Sequence, residues 1–208
     1  MRVLVACESS GEVRNAFSAL GHDAWSCDLL PADDGSERHY QCDVREVLYQ
    51  PWDILVAHPP CTYLSLSGLH WTARGLRDRQ LTEDALDFVR LLMNAPIQRI
   101  AIENPVGAIG TRIRPATQYI QPYEFGADAS KRTGLWLKNL PMLVPTKYVP
   151  PRMVDGKPRW ANQCDSGQNR LTPSEDRWKE RSKTFPGIAA AMAEQWTKPC
   201  LVQSEFNL

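Results

Sequence analysis

Residues 1–30 read MRVLVACESSGEVRNAFSALGHDAWSCDLL, and the fold follows from how they divide. Arg2–Cys7 is a short apolar run that stops at a polar turn, Glu8-Ser9-Ser10-Gly11-Glu12. Val13, Phe17 and Leu20 then recur at helical spacing, and Gly21 is placed to close that helix. Asp23–Leu29 reads as a second strand with Asp28 near its end. The order is strand, helix, strand.

The same alternation continues outward. Asp43–Leu48 reads as a short helix or turn. Asp53–Ala57 (DILVA) is a buried strand, stopped by His58-Pro59-Pro60. A polar, arginine-rich segment follows. Thr82 is placed to cap a helix whose apolar positions are Ala85, Phe88, Val89, Leu92 and Met93, and Pro96 ends it. Ile97–Ile102 is a further strand, followed directly by Glu103-Asn104-Pro105. Strands alternating with helices imply an α/β fold with a doubly wound, mostly parallel sheet. Such sheets bind ligands outside the carboxyl ends of their strands. Four polar loops therefore fall on one rim: Glu8–Glu12, Asp28, Cys61 and Glu103. From Pro141 onward prolines are dense and periodicity fades, and only Ile188–Trp196 reads as a clear helix. The expected organisation is a core over 1–140, a small irregular insert over 141–169, and a C-terminal segment over 170–208 whose helix returns to the core.

With 208 residues, 43% hydrophobic and 23% charged, the chain suits one domain that needs neither disulfides nor a structural metal for stability. No apolar run approaches the roughly 20 residues of a membrane span. The first residues lack the features of a signal peptide. The expectation is a cytosolic protein with no membrane contact, whose six scattered cysteines, free of any CxxC pair, stay reduced. Net charge is zero but unevenly spread: residues 1–60 carry −6 and residues 130–183 carry +7. A basic rear suits phosphates, and Trp136, Tyr148, Trp160 and Trp178, interleaved with its cations, add to the expectation of nucleic-acid contact.

Each rim loop has two readings. Ser9, Ser10 and Gly11 let backbone approach a ligand at a helix N-terminus, or form an ordinary strand–helix turn. Asp28 suits ribose hydroxyls and Asp43 an adenine amino group, or each is a cap or a surface acid. Cys61, in HPPCTYLS, follows a buried strand and is stiffened by two prolines. That placement suits a nucleophile once its pKa is lowered, although a lone cysteine is ordinarily a small buried apolar residue. Glu103 is placed likewise. With a raised pKa it would donate a proton near neutrality, or it is a capping acid, and Asn104 and Pro105 are placed to brace the neighbouring loop. His58 and Cys61 stand three apart, but neither H-x-E nor P-C-x-x-C is present, which argues against a catalytic zinc.

Taken in order, these loops resemble the cytosine-C5 DNA methyltransferase family, in particular its small, phage-encoded members. VACESSGEVRNAF resembles the family's S-adenosylmethionine loop, with Gly11 the best match. DILVAHPPCTYLS resembles its Pro-Cys nucleophile motif and IAIENPVG its Glu-Asn-Val motif. RLTPSE (170–175) and FPGIAAAMAEQW (185–196) resemble its two C-terminal motifs. The resemblance implies a Rossmann-like methyltransferase fold and S-adenosylmethionine as cofactor, held by Glu8, Ser9, Ser10, Gly11, Asp28, Asp43 and Pro59. It implies Cys61 as the nucleophile on cytosine C6, Glu103 at N3 and the exocyclic amine, Lys131 or Arg132 at the base O2, and Asn104 among the catalytic residues. No metal is implied. A phage-encoded member would work in the bacterial cytosol.

The chain departs from the pattern in places. ESSGE replaces the glycine-rich turn, Thr62 the usual glutamine, and Pro105 the usual valine. Ser130-Lys131-Arg132-Thr133 stands for QxRxR. Only about residues 141–169 are left to read a target, and so short an insert reads few base edges. The substrate implied is DNA, single-stranded or read with low specificity, or else a free deoxycytidine nucleotide. A non-catalytic DNA-binding protein on a degenerate methyltransferase fold is the alternative from another class, and an α/β domain with an unrelated thiol activity is a further one.

Overall fold

The computed structural model describes residues 1–198 apart from 173, 175 and 176, with backbone alone at 177 and 178. Nine strands are described: β1 (Arg2–Ala6), β2 (Asp23–Asp28), β3 (His39–Gln41), β4 (Ile54–Ala57), β5 (Arg99–Pro105), β6 (Gln118–Ile120), β7 (Thr133–Lys138), β8 (Arg152–Val154) and β9 (Lys157–Arg159). Six α-helices accompany them: α1 (Glu12–Ala19), α2 (Leu66–Ala73), α3 (Gln80–Met93), α4 (Ala108–Arg112), α5 (Arg177–Ser182) and α6 (Pro186–Thr197). One sheet runs in the order β3-β2-β1-β4-β5-β7-β6, and β8 and β9 form a separate hairpin. Strands β1 to β5 are mutually parallel, whereas β7 pairs antiparallel with both β5 and β6.

The sheet is covered on both faces, so its central strands read as unbroken apolar runs. Successive side chains point to opposite faces. Val3 and Val5 of β1 pack with Val13, Phe17, Ile188, Met192 and Trp196 beneath α1 and α6. Leu4 and Ala6 pack on the other face with Leu86, Val89 and Leu92 of α3. Helix α6 thus packs on the same face of the sheet as α1.

Register sets the site. Ala6 pairs with Ala57, and Ala57 with Ile102, so β1 and β4 end level with one another while β5 runs on past them to Pro105. Because β7 is antiparallel to β5, its beginning lies at that same rim: Thr133 pairs with Pro105, which brings Lys131 and Arg132 there.

Several elements differ from the sequence expectation. Thr82 lies inside α3, is buried, and its hydroxyl has no partner among the described residues. Arg79 occupies the cap position, so Thr82 is no N-cap. The arginine-rich stretch after Cys61 contains α2, and the insert holds the β8–β9 hairpin. Strands β3 and β6 are three residues each, too short for periodicity to register.

Candidate active site

The chain winds outward from β1 to β2 and β3, then crosses back to β4 and β5. The reversal leaves a crevice between the ends of β1 and β4, where doubly wound sheets bind ligands. A cleft of about 1140 Å³ opens there, lined by Glu8, His58, Cys61, Glu103, Lys131 and Arg181 among others. A smaller pocket of about 220 Å³ adjoins it, lined by Asp28, Leu29, Asp43, Val44, Arg45 and Phe88. Cys7, Asp28 and Pro60 line both.

Cys61 faces the cleft on a loop that the end of β5 holds in place. The Asn104 side-chain amide donates to the Pro59 carbonyl at 2.7 Å. The Ala108 amide donates to the Leu64 carbonyl at 2.7 Å, and the Leu66 amide to the Val106 carbonyl at 3.2 Å. Gly107 permits this approach, since a Cβ there would stand 1.9 Å from the Leu64 carbonyl oxygen. Asn104 is 1% exposed, lines the cleft, and through its bond to Pro59 braces the loop that carries Cys61. Burial and the Glu103 carboxylate raise the Cys61 pKa, while Lys131 and Arg181 lower it in part. The protein alone therefore holds Cys61 as a thiol, and whatever neutralises Glu103 favours the thiolate.

Glu103 departs from its expected pKa direction. Burial opposes its charge, but a hydrogen bond with His58, the charges of Lys131 and His58, and the Thr133 hydroxyl outweigh burial and leave its pKa lowered. His58 Nδ1 lies 3.1 Å from Glu103 Oε2. Its Nε2 is buried and has no hydrogen-bond partner among the described residues. The acid whose pKa is raised is instead Glu8, chiefly by burial, against the opposing influence of His58 and two backbone amides. Glu8 accepts hydrogen bonds from the Val13 amide at 2.7 Å and the Arg14 amide at 3.2 Å. It closes the N-terminus of α1 with its own carboxyl group, where a free anion would otherwise sit.

The remaining candidates divide between cleft and frame. Ser9, Ser10 and Pro59 line the cleft. Gly11 has φ +74°, a left-handed turn suited to glycine, and lies outside the cleft lining. Asp28 accepts from the Leu30 amide at 2.9 Å through Oδ1, and its other oxygen has no protein partner among the described residues. Asp43 caps the 3₁₀ turn Val44–Glu46 and pairs with Arg45 at 2.7 Å, which together with the Arg45 amide lowers its pKa. It is a cap and also lines the smaller pocket. Lys131 donates to the Arg181 carbonyl at 2.8 Å, and Arg132 lies 4.2 Å over the Tyr119 ring.

The basic segment meets the cleft, but its described tryptophans do not. Trp136 is 1% exposed in the core, and Trp160 stacks on Tyr123 at 4.1 Å. Burial and ring stacking remove both from solution, so the expectation that they contact nucleic acid is corrected. Tyr148 is exposed, its ring edge-on to Tyr123. The Trp178 side chain, Pro173 and Glu175 of the RLTPSE motif, and Cys200 lie outside the described residues. Sequence reasoning missed Trp71, Arg77 and Arg181 in the cleft, and weighed His58 only as a metal ligand. The signal for His58 was its place directly after a buried strand. Among the described residues no group of three acidic, histidine or cysteine side chains is arranged to hold a metal.

Sheet order, a cleft at the switch point and an antiparallel β7 define a Rossmann-like, doubly wound α/β fold. No family model matches the chain, and no curated protein matches it in sequence. Among solved structures, a methyltransferase of Entamoeba histolytica, EhMeth, is similar with a TM-score of 0.51 and 14% identity, over 72% of this chain and 58% of that one. A DNA modification methyltransferase encoded within an E. coli prophage gives a TM-score of 0.48 and 16% identity, over 73% of this chain and 52% of that one. The match spans little more than half the length of those structures. No described helix is long and apolar enough to cross a membrane.

Proposed function

We propose that the protein methylates C5 of cytosine in DNA with S-adenosylmethionine, through a covalent bond from Cys61 to C6. The observation that carries this is the convergence of Cys61, Glu103 and Lys131 in one cleft, close enough that the carboxylate and the ammonium oppose one another at the thiol. The adjoining pocket suits the cofactor. Leu29, Val44 and Phe88 offer apolar walls to a flat ring, and the unpartnered Asp28 oxygen suits ribose hydroxyls. S-adenosylmethionine, when bound, supplies an electrophilic methyl group.

The chain's own residues do the rest. The Glu103 carboxylate accepts a hydrogen bond from the cytosine amino group, which offsets its charge and favours the Cys61 thiolate. Cys61 releases its proton to solvent in the open cleft, the thiolate sulfur bonds to C6, and the displaced C5–C6 electron pair makes C5 nucleophilic. Once C5 carries the methyl group, its proton leaves to a base. The electron pair re-forms the C5–C6 bond and expels Cys61. Asn104 and Gly107 keep the sulfur in place throughout.

An oligonucleotide carrying 5-fluorocytosine tests this, because fluorine at C5 blocks the final elimination. The expected result is a stable cross-link to Cys61 that requires S-adenosylmethionine. Cys61→Ser should abolish cross-link and turnover while leaving cofactor binding and melting temperature unchanged, since Cys61 lies outside the apolar core. Full turnover in that variant would overturn the mechanism.

A further inference from the structure

Resting on the reading that the substrate is cytosine in DNA, we infer that the strand is bound single-stranded and that Trp71 of α2 stacks on a base flanking the target. The first observation is apolar exposure beside the reacting sulfur. Helix α2 begins five residues after Cys61, capped by Ser65, and shows Leu66 at 64% and Trp71 at 45% exposed. Both side chains line the cleft with Cys61. A large aromatic face held open beside an active site is costly in water, and sequence-tolerant stacking of bases is a use it serves.

The second observation is charge. Arg77, Arg132, Arg170 and Arg181 line the same cleft and make no ion pair among the described residues; Arg77, Arg132 and Arg170 are turned to carbonyl oxygens or rings. Carbonyls and rings leave their charge uncancelled, as a phosphate backbone requires. Because the cations ring the cleft together with Trp71, the surface fits an anionic polymer better than an apolar partner.

The third observation concerns the means to open a duplex. Flipping a base out of a helix leaves a gap and an orphaned partner, and both strands must be held meanwhile. The insert provides a hairpin of two three-residue strands. Arg152 is tied to Asp165 at 2.6 Å, and Arg159 donates to the Asp165 carbonyl at 2.9 Å, so their donors hold the insert together. Among the described residues the insert therefore turns these two arginines inward, and an unpaired strand asks for no second strand to be held.

The test measures binding by fluorescence anisotropy and methyl transfer by label incorporation. It uses a labelled 12-mer with one cytosine, alone and annealed to its complement. The expected result is at least tenfold tighter binding and higher kcat/KM for the single strand. Trp71→Ala should weaken single-strand binding about tenfold or more and raise KM, with kcat held, while Trp71→Phe keeps most of the affinity because a ring remains. Preference for the duplex, or unchanged affinity in Trp71→Ala, overturns the inference. Single-strand binding that depends on Trp71 without any methyl transfer supports the inference and sinks the proposed chemistry.

Discussion

Glu103 and His58 show how neighbouring groups overrule burial. A carboxyl group walled in by protein ordinarily holds its proton, yet here the pKa is lowered by the His58 hydrogen bond, by the charges of Lys131 and His58, and by Thr133. The sign for stability follows from linkage. A carboxylate depressed in the folded state contributes stability that is present above its unfolded pKa of about 4.3 and is lost as pH falls through the folded value. Replacing His58 with Gln keeps a hydrogen-bond donor but removes the charge. The Glu103 carboxyl resonance, followed by carbon NMR, should then titrate at higher pH than in the wild type. The loss of stability between pH 5 and pH 3 should also become shallower. An unmoved midpoint would show that His58 does not govern Glu103.

At the scale of elements, the decisive contact is between the end of β5 and the loop after β4. Asn104→Ala removes the 2.7 Å bond to Pro59 and leaves a buried carbonyl unpaired, which should cost roughly 1–3 kcal/mol in a melting experiment. If the brace also aims Cys61, the rate of 5-fluorocytosine cross-linking should fall by about 10²-fold, as small displacements of a reacting atom do. Lost stability with an unchanged cross-linking rate would reduce Asn104 to packing. This brace was half legible in the sequence. The apolar runs DILVA and Ile97–Ile102 exposed two buried strands, and topology alone placed Cys61 and Glu103 on one rim. What stayed hidden was what side chains do after folding. Strand β7 was invisible because TGLWLK lacks alternation, being buried nearly throughout. Trp136 and Trp160 looked available because composition does not reveal which face a ring turns to. The direction of the Glu103 shift depends on His58 from the loop after β4, a meeting that only the register creates.

Across the whole molecule the uneven charge becomes a polarised cleft. The acidic first 60 residues supply Glu8, Asp28 and Asp33 to its lining, and residues 130–183 supply Lys131, Arg132, Arg170 and Arg181, the two groups meeting where Lys179 pairs with Asp33 at 2.8 Å. A sulfonium cofactor is a cation and a nucleic-acid strand is a polyanion, so one cleft of opposed signs suits both, each beside charges of the other sign. The two halves should answer differently to salt. Each phosphate neutralised on a single strand releases counterions, which gives log affinity a slope of about −0.7 per contact against log salt. Contacts from Arg77, Arg132, Arg170 and Arg181 therefore predict a loss of roughly 50-fold in oligonucleotide affinity between 50 and 200 mM salt. Cofactor affinity, measured by calorimetry over the same range, should change far less, because the pocket proposed for it is partly enclosed and screening there is weak. Replacing Arg132 and Arg170 together with Gln should halve the oligonucleotide slope and leave the cofactor titration unaltered. An oligonucleotide affinity indifferent to salt would show that phosphates do not meet these arginines.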